Sequence, residues 1–491
     1  MDAFNRLEAA QKQMASAASE FHHACTAIDN LFRCRNNNTD QEWLEKRLSA
    51  IDRDLDSLAG IEQKLALSRI SLHRVANRSK IRVLIHTLPE EILARIFGIV
   101  MVSFDPNLHP PEATLHPTCV LSTVCASWRA LAINTPLLWN NIKLREGSEA
   151  GHSMMIRRAL LWLKRSGDVP ADLTFYAADR CQDNLDPQIG QILTRAKSFV
   201  FPRDSSEDYA VKIFRLYDTA GRSDILKTVS MRGPFQIILH GPRKNWWDCI
   251  PPCLTTLDLC RLSSVMSLNF DELVALLERC SNLESITLTG VFLGQGTEGT
   301  YPKVILPNLK YLKTALDTTV SEVLFSTIAP GRPGLQLSLS MPEVEDQRYQ
   351  DSVCRFMECS HVTELSLHEL CPYRDDSILA QYLDCLPELR SLSLDISEDR
   401  SGRLLDALVV SIDQNEYRAR RPTIRTLTII SGLADSLAQQ RLKRIVIAYS
   451  LKELVAPGWF LYEYKNSARD DGESLEEWLR KHIETVQKTG S

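Results

Sequence analysis

A glycine-rich segment is the first candidate for chemistry in this sequence. Gly294-Gln295-Gly296-Thr297-Glu298-Gly299 matches the G-x-G-x-x-G pattern of dinucleotide-binding turns. In such turns a helix begins at the pattern, so that its N-terminus meets the pyrophosphate. Here Thr300-Tyr301-Pro302 and another extended stretch follow instead. We therefore interpret residues 294–299 as a loop without a nucleotide role.

The cysteines and histidines are the next candidates for metal ligands and nucleophiles. The 13 cysteines include no C-x-x-C pair, whereas zinc sites need close pairs of ligands on tight turns. His22, His23 and Cys25 come nearest to a ligand group, and we interpret them as ordinary helical side chains because no second pair accompanies them. The nucleotide, zinc-protease and serine-hydrolase patterns are also missing. The sequence predicts no catalytic residue, no metal site and no cofactor.

Composition narrows the possible partners. The 57 basic and 62 acidic residues give a net charge of −5, which provides no basic field for nucleic acid. The longest apolar cluster, Ile92 to Phe104, is interrupted by Arg95 and is too short to span a bilayer. The start of the chain lacks the apolar core of a secretory signal. We expect no membrane or nucleic-acid partner, reduced cysteines, and a cytoplasmic or nuclear location.

Residues 1–80 are predicted to form two helices joined by a polar turn at 36–40. The second helix carries an apolar stripe with spacings that alternate between four and three residues, in which Glu62 and Arg69 replace two apolar positions; its members are Leu44, Leu48, Ile51, Leu55, Leu58, Leu65 and Leu72. Such a stripe needs a partner. We favour an intramolecular hairpin with the first helix, and the alternative is a coiled-coil dimer.

Residues 84–142 contain three short apolar elements in close succession. Leu88-Pro89-Glu90-Glu91 suits a helix start, because proline is tolerated in the first turn and acidic residues complement the positive helix end. Two apolar helical faces follow, formed by Ile92, Leu93, Ile96 and Phe97 and by Leu121, Val124, Trp128 and Leu131. The third element is Thr135-Pro136-Leu137-Leu138-Trp139.

These elements resemble the F-box motif, in the form found in the expanded F-box families of mushroom-forming fungi. The resemblance rests on LPEEILARIF followed by LSTVCASWRALAINTPLLW and covers about 55 of the 491 residues. It departs from the pattern in the long loop from Val102 to Thr118 and in Ala126, where a basic residue is common. The alternative is a three-helix bundle that packs only on itself.

From residue 196 to 462 a pattern of apolar–x–x–apolar–x–apolar recurs. Its fourth position, the anchor of each unit, falls at intervals of 25 to 35 residues, at Phe199, Val229, Leu257, Ile286, Leu312, Leu337, Leu365, Leu392, Leu427 and Leu454. Helical stripes at Phe270–Cys280 and Ile378–Leu386 lead directly into two of the units. This period is typical of leucine-rich repeats that stack into a solenoid. An unrelated α/β sheet is the competing interpretation, since βα alternation does not determine strand order.

Polar residues alternate with the anchors and should line one face of the predicted sheet. They are Thr256, Asp258, Ser285, Thr287, Tyr311, Lys313, Glu364, Ser366, His368, Ser391, Ser393, Thr426 and Thr428. We select Asp258, Thr287, Tyr311, Lys313, Glu364 and His368 as candidate contacts with a target protein. Residues 143–195 are expected to connect the F-box to the repeats, and 463–491 to form a C-terminal tail or cap.

The predicted fold is thus α+β and multi-domain: a helical hairpin or coiled coil, a three-helix F-box, and an irregular α/β leucine-rich-repeat solenoid. The resemblance implies a non-catalytic substrate receptor of an SCF-type cullin–RING ubiquitin ligase. It also implies that an Skp-type adaptor binds Leu88, Pro89, Ile92, Leu93, Ile96, Phe97, Leu121, Val124, Trp128 and Leu131. The alternative is a leucine-rich-repeat scaffold outside any ligase.

Overall fold

The computed structural model of the chain describes most of its length in segments. These are residues 2–34, 41–78, 84–103, 116–145, 149–176, 188–202, 207–221, 224–232, 246–262, 269–291, 293, 301–341, 346–368, 375–396, 405, 408–409, 422–432, 436–457 and 475–489. The predicted loop at Gly294–Gly299, the turn at 36–40 and most of the loop between Val102 and Thr118 lie outside the described residues. The chain divides into two compact units, Met1–Leu93 and Ala94–Ser491.

The first unit contains two long helices, α1 (Asp2–Cys34) and α2 (Gln41–Arg78), and a 3-10 helix, Leu84–Thr87. The two long helices share no extended contact within the described residues, and the hairpin stays a prediction. Leu55, Leu65 and Leu72 of the predicted stripe are exposed. A hairpin would also place the charges of Glu62 and Arg69 against apolar side chains, which is costly without a compensating partner.

The boundary between the two units falls within α3 (Glu90–Ser103), after Leu93. The second unit contains the rest of α3 and all the later helices. The helices after α3 are α4 (Pro117–Val124), α5 (Ala126–Ile133), α6 (Glu149–Arg165), α7 (Gln188–Leu193), α8 (Glu207–Thr219), α9 (Phe270–Arg279), α10 (Thr318–Thr327), α11 (Gln347–Ser360), α12 (Asp375–Asp384), α13 (Ser436–Tyr449) and α14 (Leu475–His482). Two 3-10 helices accompany them, Pro136–Leu138 and Trp246–Cys249.

Fifteen strands are present in the described part of the chain. They are β1 (Asn141–Arg145), β2 (Ala171–Tyr176), β3 (Ala196–Phe201), β4 (Thr228–Arg232), β5 (Thr256–Cys260), β6 (Ser285–Thr289), β7 (Val304–Leu306), β8 (Tyr311–Ala315), β9 (Ile328–Pro330), β10 (Leu335–Ser340), β11 (Val362–His368), β12 (Ser391–Ile396), β13 (Thr426–Gly432), β14 (Glu453–Pro457) and β15 (Thr485–Thr489). Thirteen of them form one sheet in chain order, while β7 and β9 pair separately. Neighbouring strands in both sheets pair in parallel.

A continuous row of apolar anchor residues runs across the large sheet. All ten predicted anchors lie in its strands, and each is the register partner of the next, from Phe199 opposite Val229 to Leu427 opposite Leu454. The anchors are buried, because their side chains point to the helix-covered face of each strand. Alternation along the strands leaves the polar residues on the other face, as the burial of every second residue in β6 illustrates.

The sheet extends beyond both ends of the predicted repeats. Ile142 of β1 pairs with Leu173 of β2, which pairs with Phe199, and Val486 of β15 pairs with Leu454. The Trp139-x-x-Ile142-x-Leu144 spacing carries the repeat pattern but overlaps the close of the F-box-like elements. In β15 the pattern is weaker, since Lys488 takes the last apolar position.

Polar side chains cap the helices that lie between the strands. Asn269 forms a capping box with Glu272 at the start of α9, in which each side chain accepts from the backbone N–H of the other residue. Asp317 and Asp346 accept from backbone amides at the starts of α10 and α11. These caps fix where α9, α10 and α11 begin after the preceding strands. Each helix then leads the chain back to the start of the next strand.

Candidate functional site

Helix α3 separates its apolar residues onto two faces. Phe97 and Leu93 are buried, whereas Ile92, Ile96 and Ile99 are exposed. The exposed residues are four and three positions apart, which places them on one side of a helix. At its start, the Pro89 carbonyl accepts from the backbone amides of Ile92 and Leu93. The sequence therefore builds a helix with one face inward and an apolar face left open.

Helices α4 and α5 pack against the second half of α3. The rings of Phe97 and Trp128 lie 4.9 Å apart between centroids, and the Thr118 hydroxyl lies 3.2 Å from the Met101 sulfur. The Thr118 hydroxyl also donates to the Leu138 carbonyl at 2.9 Å, and Leu121 is buried beside this core. These contacts hold the three helices together without covering Val120 or Val124, which is 58% exposed.

The ten predicted adaptor contacts divide by their burial. Five are exposed: Leu88, Pro89, Ile92, Ile96 and Val124. Trp128 and Leu131 are partly buried and pack against the core. Leu93, Phe97 and Leu121 are buried. The last three stabilise the fold and present almost no surface to another protein, because each occupies the inward side of its helix.

Further exposed apolar residues lie on the same helices and were missed in the sequence. They are Ile99 and Val100 on α3, Val120 on α4, Ile133 on α5 and Leu137 in the following 3-10 helix. Helical spacing could have identified two of them, since Ile99 continues the Ile92–Ile96 face and Val120 lies one turn before Val124. We define the F-box apolar surface as Ile96, Ile99, Val100, Val120, Val124, Ile133 and Leu137.

Trp139 joins the three helices to the sheet. Its side chain is 1% exposed, and its indole N–H donates to the Ala132 carbonyl of α5 at 2.7 Å. The same ring lies 6.0 Å from the Trp162 ring of α6 and 4.3 Å from the Arg165 guanidinium carbon. Strand β1 begins two residues later, at Asn141. The helices and the first strand therefore share one packed core, with no free linker between them.

His116, which precedes α4, also packs on this junction. Its ring lies 4.4 Å from that of Trp162, and its buried Nδ1 has no hydrogen-bond partner among the described residues. Burial lowers the pKa of His116 from 6.5 to about 4, with smaller contributions from Lys143 and Arg158. The neutral imidazole is thus the form that fits the folded protein.

This burial predicts a pH-dependent effect of His116→Phe. As pH falls from 6.5 toward 4, the unfolded chain binds a proton at His116 that the folded chain does not, so this residue's contribution to stability is lost in that window. Phenylalanine keeps the ring contact and removes the titration. We expect the variant to gain stability relative to the native chain as pH falls from 7 to 4, measured by urea unfolding. An equal difference at both pH values would contradict this assignment.

The polar residues of the sheet form the second part of the site. Asp258, Thr287 and Lys313 are consecutive register partners across β5, β6 and β8, and Tyr311 lies on β8 with Lys313. Glu364 and His368 lie on β11, two strands farther along the sheet order. The six candidate target contacts are thus brought to one polar face, about 5 Å apart from strand to strand.

Asp258 is the centre of a compact polar cluster on this face. The residue is 8% exposed, and its Oδ2 accepts from the Ser230 hydroxyl at 2.8 Å and from Arg232 Nε and Nη2 at 2.9 and 2.8 Å. The Cys260 thiol lies 3.1 Å from Oδ1, and burial together with this carboxylate raises the pKa of Cys260 to about 11. Burial, aided by Asp258, also raises the pKa of Tyr311.

The cluster predicts that Arg232 and Asp258 are energetically coupled. Arg232→Met leaves a nearly buried carboxylate without its cation, so we expect a loss of about 1–3 kcal/mol in unfolding free energy. Adding Asp258→Asn to that variant should recover part of the loss, measured as a double-mutant cycle in urea. Strict additivity of the two changes would show that the ion pair has no net role.

Neither a metal site nor a membrane span is found in the part of the chain that the structure describes. No group of three or more His, Cys, Asp or Glu residues there is arranged to hold a metal ion. His22 and His23 have ring centroids 6.3 Å apart on the exposed surface of α1. No described helix combines the length and apolar character needed to cross a bilayer.

Comparison with known families identifies one segment of the chain. Residues 85–145 match the F-box-like family model, which confirms an F-box-like domain over α3, α4, α5 and β1. No curated protein matches the sequence at a significant level. The match includes Trp139 and β1, so the family domain itself reaches into the first strand of the sheet.

Proposed function

We propose that this protein is the substrate-recognition subunit of an SCF-type cullin–RING ubiquitin ligase. F-box domains are typically non-catalytic and bind Skp-type adaptors, and the F-box-like domain at residues 85–145 supports the same role here. The observation that carries the proposal is that this domain leaves an apolar surface open while its opposite side is fused to a sheet with a polar face.

The F-box apolar surface supports adaptor binding. Six apolar side chains on α3, α4 and α5 and Leu137 of the following 3-10 helix remain exposed, although Phe97 and Leu121 on the same helices are buried. Burial of one Val or Ile side chain contributes about 1.5–3 kcal/mol. Leu88, Pro89 and Ile92, which precede this surface in the chain, are exposed as well and are proposed as further contacts.

We assign the sheet and its helices to an irregular leucine-rich-repeat solenoid. Thirteen parallel strands follow one another in chain order, which a doubly wound sheet does not do because its strand order reverses at a switch point. The anchors pair from each strand to the next, and stacking of such units buries a continuous core.

The polar face of this array is proposed to bind the target protein. Asp258, Thr287, Tyr311 and Lys313 offer donors and acceptors close together, and Glu364 and His368 extend the surface. This step is tested by mass spectrometry of the proteins that co-purify with the native chain and with the variant Thr287→Arg/Lys313→Glu/Glu364→Lys. The expected result is loss of target proteins with retention of the adaptor.

Catalysis by such a complex works through proximity. The ligase holds a charged conjugating enzyme beside the target and raises its effective concentration, with no chemical step by this chain. The Trp139 junction supports that role, since a packed connection between the helices of the F-box-like domain and the sheet maintains the direction in which a bound target is presented.

The test is direct binding of the purified full-length chain to a purified Skp-type adaptor, measured by biolayer interferometry. We expect a stoichiometric complex with a dissociation constant below about 1 μM, equivalent to about −8 kcal/mol. Absence of binding by a chain with native secondary structure would remove the ligase assignment and leave the repeat array as a scaffold.

A further inference from the structure

Helix α1 carries an apolar stripe of its own, distinct from that of α2 and outside the F-box-like domain. Leu7, Met14, Phe21 and Ile28 follow one another at intervals of seven residues. Phe4, Gln11, Ala18 and Cys25 each lie three residues before one of them. Together they occupy the a and d positions of a heptad repeat over about four heptads, which is the pattern of a coiled-coil seam.

No described part of the chain covers this α1 stripe. Every residue of α1 from Asp2 to Asn30 is exposed apart from Leu7, which is partly buried. The ion pairs Arg6–Asp2 (2.7 Å) and Lys12–Glu8 (2.9 Å) join residues outside the a and d positions. A helix in a protein gains most of its stability from the packing of its apolar face. The exposed stripe of α1 therefore needs a partner helix.

We propose that α1 forms a parallel, in-register coiled coil with α1 of a second copy of this chain. In that arrangement each a or d residue packs against the same residue of the second copy. The apolar residues of the stripe therefore contact apolar residues. Gln11 is the one polar residue among these eight, and its amide can both donate to and accept from the Gln11 amide of the second copy. A polar residue at one a position is a known device for setting register.

The charges of α1 favour the parallel orientation over the antiparallel one. An antiparallel pair that overlaps along the same length places Gln11 opposite Phe21, where its amide has no polar partner. In the antiparallel register shifted by one heptad, Gln11 faces Ile28, and Glu8 lies near Asp29 of the second copy, which is a like-charge contact at flanking positions. In the parallel pair these flanking acids face alanines, Ala3 and Ala24.

Helix α2 is less suited to this role. Its stripe contains Glu62 and Arg69, and a parallel in-register pair would place each charge opposite the same charge of the second copy. The stripe of α1 contains no charged residue. The seam of the dimer is therefore assigned to α1.

The mass of the full-length protein in reducing buffer tests the proposal. Light scattering after size exclusion should give twice the chain mass of 55.6 kDa. Met14→Lys/Phe21→Lys should give the single-chain mass, whereas Ser16→Lys/His23→Lys, at the same spacing on the outer face of α1, should keep the dimer. A native chain that is monomeric at about 50 μM, or a dimer that survives the stripe variant, would overturn the proposal.

Oxidative cross-linking tests the orientation. Cys25 is an exposed free cysteine at an a position, so two copies in parallel register place their Cys25 thiols beside each other. Mild copper–phenanthroline oxidation should give a disulfide-linked dimer that Cys25→Ser abolishes. In the Cys25→Ser background, Met14→Cys should restore the cross-link and Ser16→Cys should not. A dimer that lacks the Cys25 cross-link, or that cross-links equally through position 16, would contradict the parallel seam.

Discussion

Replacing Ile96 and Val124 together with glutamate is expected to weaken adaptor binding at least ~100-fold. Both side chains are exposed, at 37% and 58%, on α3 and α4, which are joined by the Thr118–Met101 contact. Two carboxylates would have to be desolvated in an apolar interface, and each loss of an interface hot spot costs about 2 kcal/mol or more. Biolayer interferometry with a purified Skp-type adaptor measures the change.

Matched control variants separate this effect from a general effect of added charge. Ile305 and Ile447 are exposed at 67% and 65%, on β7 and α13, outside the F-box-like domain. Ile305→Glu/Ile447→Glu adds the same charge at two exposed positions and should bind the adaptor like the native chain. If the Ile96/Val124 variant keeps native affinity, the apolar surface defined on α3, α4 and α5 is not the docking surface.

Trp139→Ala is expected to be the most destabilising single change at the junction, by about 3–5 kcal/mol. The substitution removes a ring that is 1% exposed, its hydrogen bond to the Ala132 carbonyl, and its contacts with Trp162 and Arg165. The resulting cavity lies between α5 and α6, next to the start of β1. Urea unfolding followed by circular dichroism measures the loss.

Leu137→Ala provides the comparison for Trp139→Ala. Leu137 lies two residues earlier, in the 3-10 helix that Trp139 follows, and is 66% exposed, so its truncation should change stability by less than about 0.5 kcal/mol. Similar losses for the two variants would mean that Trp139 does not join the helices to the sheet through its packing.

The strands could be predicted because their signal is local and repeated. In Leu257-Asp258-Leu259 and Ile286-Thr287-Leu288 the alternation sets which side chain is buried, and the near-constant interval sets which residue lies beside it. The F-box-like domain was predicted from its resemblance to the F-box motif, whose parts follow one another in a set order. Comparison with known families confirmed that domain.

Other features depend on contacts that residue types do not encode. Leu93, Phe97 and Ile96 have the same apolar character, and only packing decides that the first two are buried and the third is exposed. The Arg232–Asp258 pair arises because β4 and β5 are neighbours in a register set by the chain between them. The partner of the α2 stripe stays a prediction, because a stripe shows that a helix needs a partner without showing which one.

Hydrogen exchange of the full-length chain with and without a purified Skp-type adaptor tests the central claim most directly. Binding is expected to slow exchange in peptides that cover α3, α4 and α5, residues 90–103 and 117–133, and to leave the strands from β5 to β14 unchanged. A complex that protects the sheet while α3, α4 and α5 exchange as in the free chain would contradict the claim that their exposed apolar residues bind the adaptor.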